Sequence, residues 1–221
     1  MKKRITTEDN FTYLFSSLIF LLFSGAYATQ FASSFVEEFL IEVTILAMII
    51  ALWSVRFTGS IFKAGIVLIV IAVMSKLAIT FVDKTEFEII QLIILLFFFL
   101  LILKPTSEQA LFSDEITGNN IMGSICIFLL LGFIWAIFYL LATEITPTSF
   151  SGIELTTWKQ NLPDFIYFSF VTLTTLGYGD ILPVSPLARF LVYIEAIVGV
   201  FYMAIVVSSL VSAKGSNSSK T

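Results

Sequence analysis

The chain has 221 residues, 58% hydrophobic and 13% charged, with a formal net charge of −4 and no histidine. That balance belongs to a membrane protein and not to a soluble domain. With no histidine and one cysteine, Cys126, the usual zinc and haem sites are all but excluded and no intrachain disulfide is possible.

Five apolar segments come first, at about 12–30, 37–55, 62–82, 87–103 and 120–142, against roughly 20 residues needed to cross the hydrocarbon core. The first follows "MKKR" and contains "AYA" at 26–28, which has the look of a signal peptide and its cleavage site. Glu8 and Asp9, next to the apolar run, favour its retention as a span. Lys76 lies inside the third segment, about 9 Å from its outer end at 1.5 Å per residue; it either snorkels outward or pairs with Glu42. The fourth, "EIIQLIILLFFFLLIL" from Glu88 to Leu103, contains no basic residue. Carrying one charge through the field is worth about 2.3 kcal/mol per 100 mV, so steep voltage dependence needs several arginines there.

After the fifth segment the pattern changes. Residues 143–162 are polar and turn-rich, the run 163–174 is too short to span, and a last apolar segment runs from Pro186 to about Ser212. Six spans with one re-entrant segment between the fifth and sixth are expected. Pro163 and Asp164 suit the first turn of a short helix, and Ser185 with Pro186 suits the cap and first position of the last one. Lys2, Lys3, Arg4, Arg56, Lys63, Lys104, Lys214 and Lys220 fall on one side, against Lys84, Lys159 and Arg189 on the other, so both termini are expected in the cytoplasm of a multi-pass cell-membrane protein.

Between the short helix and the last span lies "TLTTLGYGD", Thr172 to Asp180. Backbone without regular pairing is tolerated at membrane depth only where it is buried or lines an aqueous path. Gly177 and Gly179 take either backbone hand, which lets successive carbonyls point the same way, and rows of carbonyl oxygens replace the hydration shell of a potassium ion. The residues Thr175, Leu176, Gly177, Tyr178, Gly179 and Asp180 closely resemble the selectivity filter of the tetrameric potassium channels. Leu176 stands where valine or isoleucine is usual. The likeness runs from about Tyr167 to the end of the last span, and more loosely over the six-span layout.

The resemblance implies an all-α membrane protein with a pore helix and filter between the fifth and sixth spans. Carbonyls of Thr175 to Gly179, with the Thr175 hydroxyl, would hold potassium, and the short helix would aim its carboxyl end at a central cavity. One filter segment per chain requires three further identical subunits to close the ring. Tyr167, Thr174, Asp180 and Glu195 are the expected filter supports. Gly199 is either an inner-helix hinge or a point of close packing, while Val200, Met203, Val207 and Val211 share the helical face expected to line the cavity. Departures are Val171 where some members have a glutamate, and Tyr167 with Phe168 where voltage-gated members have a tryptophan pair. Gly-x-Gly-Asp also marks intramembrane aspartyl proteases, but Asp9, Asp83, Asp114 and Asp164 sit at span ends or in loops and assemble no dyad with Asp180.

Glu195 lies nine residues after Pro186, roughly 13 Å down the helix. It points about 140° away from Val200 at 100° per residue. It is expected to face the short helix and bond to a hydroxyl of Ser169, Thr172 or Thr174, as a tether or as a proton sensor. The expected division is a sensor-like four-helix unit at 1–104, a cytoplasmic linker at 105–119, a pore domain at 120–213 and a tail at 214–221. The expected protein is a passive potassium channel with little or no voltage dependence, no enzymatic activity and no cofactor beyond ions in the filter. Its partners are membrane lipid and its own copies, with no nucleic acid.

Overall fold

The structure is a computed structural model that describes residues 10–30, 34–54, 59–79, 85–111 and 117–218. The basic residues Lys2, Lys3, Arg4, Arg56, Lys84 and Lys220, and the start of the "MKKR" feature, lie outside them. Among the described residues seven helices follow in chain order: α1 Asn10–Gln30, α2 Ser34–Ser54, α3 Gly59–Ile79, α4 Thr85–Leu111, α5 Gly118–Ile145, α6 Trp158–Leu173 and α7 Pro186–Ser218. Five of them, α1, α3, α4, α5 and α7, are long and apolar enough to cross a membrane. In α2 the part whose side chains are described, Ile41–Ser54, is also apolar.

The spanning-length helices are apolar nearly all round, as a helix surrounded by lipid or protein must be. Their core runs along α5, which is the most buried of them. Leu130, Phe133, Ile137, Tyr139 and Leu140 of α5 are fully buried with Leu92, Phe98 and Ile102 of α4 and Leu14 and Leu18 of α1. Phe99 stacks on Phe133 at 5.3 Å between ring centroids. Of the leading helices, α1 and α4 thus pack on the chain's own α5, with α2 and α3 outside them. By contrast α3 and α7 bury only 11% of their spanning windows. Lys76 Nζ of α3 pairs with Glu42 Oε1 of α2 at 3.1 Å. The Glu42 side chain is exposed and that of Lys76 half-buried.

Two elements differ from the sequence expectation. The fourth helix continues past Pro105 to Leu111. Proline removes the amide that would bond Leu101, yet the helix continues, and just beyond it Thr106 Oγ1 and Ser107 Oγ donate to the carbonyls of Ile102 and Leu103 at 2.7 and 2.8 Å. The short helix α6 starts at Trp158, more than a turn before Pro163. Asn161 secures that earlier start: its Oδ1 accepts from Thr156 N at 2.7 Å and its Nδ2 donates to Glu154 O at 2.8 Å. Ser185 caps α7 as expected, accepting from Ala188 N at 3.1 Å.

A two-residue ladder, β1 Phe150–Ser151 with β2 Leu182–Pro183, joins the loop after α5 to the loop before α7. Val184 N donates to Ser149 O at 2.8 Å and continues the tie. Behind it Tyr139, Phe150, Phe165 and Phe168 form an aromatic cluster with centroids 5.1 to 6.2 Å apart. The loop of residues 174–181 is therefore held at both ends, by α6 and by the ladder.

Candidate ion-conduction site

The backbone of this loop alternates in hand. Thr175, Gly177 and Gly179 have φ of 60°, 55° and 80°, whereas Leu176 and Tyr178 are not in the positive-φ region. Alternation of hand carries successive main-chain groups of one kind onto the same side, the arrangement needed for a row of carbonyl ligands. Added Cβ atoms at Gly177 and Gly179 would meet nothing within 4 Å, so conformation and not space demands glycine there. Thr175 adopts the same hand with a β-branched side chain, a strained state that persists only where the surroundings impose it.

The carboxyl end of α6 imposes it. Thr174 N donates to Phe170 O at 3.0 Å, Thr175 N to Thr172 O at 2.9 Å, and Leu176 N to Val171 O at 2.9 Å. The hydroxyl of Thr174 turns back to Phe170 O at 2.6 Å, so it closes its own helix and makes no bond to Glu195. On the far side of the loop, Tyr167 Oη donates to Asp180 Oδ2 at 2.6 Å, and Asp180 Oδ1 accepts from Ile181 N at 3.1 Å. The Tyr167 hydroxyl holds the Asp180 carboxyl below its ordinary value of 3.8. Residues 174 to 180 are all exposed in the single chain.

Glu195 is fully buried. Ser169 Oγ donates to its Oε1 at 2.5 Å, and the Tyr139 hydroxyl donates to its Oε2. Of the three hydroxyls expected from the sequence, the structure brings Ser169 to Glu195, leaving Thr172 and Thr174 elsewhere. Tyr139 was not foreseen, although it is the one tyrosine of the fifth apolar segment and a buried carboxylate needs donors. Since Ser169 Oγ also lies 2.9 Å from Gly132 O, one cluster joins α5, α6 and α7 behind the loop.

At Gly199 two helices approach closely. A Cβ there would run into Leu173 O and lie 3.0 Å from Leu173 Cα, so glycine lets α7 cross the carboxyl end of α6 at close range. Val200 and Met203, half-exposed at 53% and 50%, line an open groove of about 550 Å³ with Thr174, Thr175, Ile125 and Phe128. Val207 and Val211 continue along α7, but their side chains lie outside the described residues.

Residues 124–213 match a family model described as an ion channel. The inward rectifier potassium channel Kirbac3.1 of Paramagnetospirillum magnetotacticum is 43% identical over 51 residues, which is 23% of this chain and 17% of that protein. The match therefore spans about a sixth of the relative's length. No solved structure matches the chain. With the filter-like loop and its supports these likenesses agree: the segment 124–213 is similar to the pore segment of ion channels, in part to that of a potassium channel, and lies in a chain with several helices able to span a membrane.

Proposed function

We propose that the chain is one of four identical subunits of a potassium-selective channel. The carrying observation is the alternation of backbone hand from Thr175 to Gly179 at the carboxyl end of a short buried helix. In this reading the carbonyls of Thr175, Leu176, Gly177, Tyr178 and Gly179 coordinate dehydrated potassium, and the partial negative charge of α6 stabilises an ion in the cavity below. Helices α1 to α5 and α7 are the six spans, α6 is re-entrant, and both termini face the cytoplasm. Residues 1–104 form the sensor-like unit, 105–119 the cytoplasmic linker, 120–213 the pore domain and 214–221 the tail. One loop cannot encircle an ion, and the exposed apolar face of α7, with Phe190, Ile197, Val200, Phe201, Met203 and Ile205, needs a covering. Neighbouring copies supply both, and membrane lipid covers the rest. Conduction is passive and uses no catalytic group. Val200, Met203, Val207 and Val211 make the cavity wall, and an apolar wall closes by dewetting. Liposomes holding the purified protein should take up rubidium against a potassium gradient, and barium should stop it; uptake that barium leaves unchanged would refute the reading.

Two further outcomes follow. Because the fourth span carries no basic residue between Glu88 and Leu103, open probability should change less than a few fold over about 100 mV, as for less than one moving charge. Single-channel recording across that range is the check, and a steep sigmoid would contradict it. Asp180 predicts the response to outside pH. Its carboxyl is held low, so the Tyr167 bond is complete above the ordinary value of 3.8 and is lost only as pH falls through the lowered one. Flux should stay level as outside pH falls from about 7 to about 5. Tyr167→Phe should move the acid-sensitive limb upward; an unmoved limb would remove Tyr167 from the role.

A further inference from the structure

Among the described residues, three buried side-chain polar atoms lack a hydrogen-bond partner: Gln91 Oε1, Thr157 Oγ1 and Trp158 Nε1. They are not scattered. Gln91 and Trp158 both line one crevice between α2, α3, α4 and the start of α6, and Thr157 is the residue before Trp158. Gln91 and Trp158 are 9% and 8% exposed, so water outside the protein does not satisfy them and their desolvation is uncompensated. Lys159 Nζ lies over the Trp158 ring at 5.9 Å from its centroid; the indole face is covered while its N–H edge has no acceptor.

Apart from Thr44, the rest of the wall is apolar, with Met48, Ile94 and Leu95 at its buried side. Ile41, Ile45 and Ala72 are only half-buried, so the crevice opens on the outside of the helix bundle. Its free space is about 40 Å³, against roughly 10–15 Å³ for a single water. That is room for the hydroxymethyl end of a molecule whose apolar body leaves through the opening.

The chemistry of the two orphan atoms selects the head group. An indole N–H only donates and an amide oxygen only accepts. A hydroxyl does both through one oxygen, accepting from Trp158 and donating to Gln91. An ether cannot donate, an ammonium cannot accept, and a carboxylate would set its oxygen against that of Gln91. We propose that this crevice is a binding site for a neutral, hydroxyl-bearing membrane amphiphile, its hydroxyl bridging Trp158 Nε1 and Gln91 Oε1 and its chain lying along α2 and α3. The site joins three leading helices to the first turn of α6, and its existence does not depend on what the loop at 175–179 conducts.

The test is thermal unfolding of the full chain in detergent with 1-decanol, decyl methyl ether and decanoate as probes. Decanol should raise the unfolding midpoint saturably, and the ether, equal in apolar body, should not. Gln91→Leu and Trp158→Phe should each weaken the apparent decanol affinity at least about tenfold, the loss of one well-made polar contact. If a variant does not fold, the comparison of decanol with ether on the unaltered protein still decides. An ether as effective as decanol, decanoate binding more tightly than decanol, or no saturable decanol effect, the result if water alone fills the crevice, would each overturn the proposal.

Discussion

Gly177→Ala is expected to abolish selective potassium conduction while leaving the helices assembled. At φ 55° an alanine pays about 1–2 kcal/mol for the left-handed conformation in each chain. A penalty of about 1.4 kcal/mol already depletes the required backbone tenfold, and in the proposed tetramer four chains must satisfy it together. The residue escapes by reversing its hand, which turns a carbonyl away from the axis and breaks the row. No neighbouring atom opposes the added methyl in the single chain, so the damage lies in conduction and not in folding. Potassium flux should fall at least about tenfold on this penalty, with an unchanged elution position in size-exclusion chromatography. A Gly177→Ala protein that conducts and selects like the unaltered one would mean that the loop does not coordinate ions through its backbone.

Glu195→Val should have the second-largest effect, this time on stability. The substitution leaves the hydroxyls of Tyr139 and Ser169 buried without their carboxylate acceptor, at about 1–3 kcal/mol for each group left unsatisfied. Ser169 retains Gly132 O at 2.9 Å as an acceptor, so the greater part of the loss falls on Tyr139. Glu195→Gln is the informative companion. Its amide oxygen accepts from Tyr139, one amide N–H donates to Ser169 Oγ, and Ser169 donates to Gly132 O, so both hydroxyls keep a partner. The valine variant should therefore lose thermal stability of the assembled protein and the glutamine variant should keep it. Equal stability of all three would remove the tether; a flux response to pH that disappears in the glutamine variant alone would assign Glu195 to proton sensing.

What the sequence made legible was set by long apolar runs and by local backbone chemistry. The helices at α1, α3, α4, α5 and α7 follow from uninterrupted hydrophobicity, and the cap at Ser185 from a serine followed by proline. Pro163 reads as a first-turn residue, whereas α6 begins at Trp158 and its entry is fixed by Asn161 bonding back to Glu154 and Thr156. The end of α4 is hidden in a related way: Pro105 reads as a stop, whereas the helix runs through it to Leu111. Glu195 could be placed on the back of its helix by angle alone, and Ser169 named among its partners. Tyr139, 56 residues away, required knowing that α5 packs against α6 and α7 at that depth. The left-handed Thr175 was likewise out of reach, since nothing in a threonine signals positive φ.

The central claim, that four copies of Thr175 to Gly179 conduct potassium in preference to sodium, is tested most directly by a reversal potential. The purified protein is placed in a planar bilayer with potassium on the cytoplasmic side and an equal concentration of sodium on the other. A tenfold preference corresponds to about 59 mV for a singly charged species. The account predicts reversal more negative than about −59 mV on the cytoplasmic side, abolished with the current in Gly177→Ala; reversal at zero in the unaltered protein would contradict it.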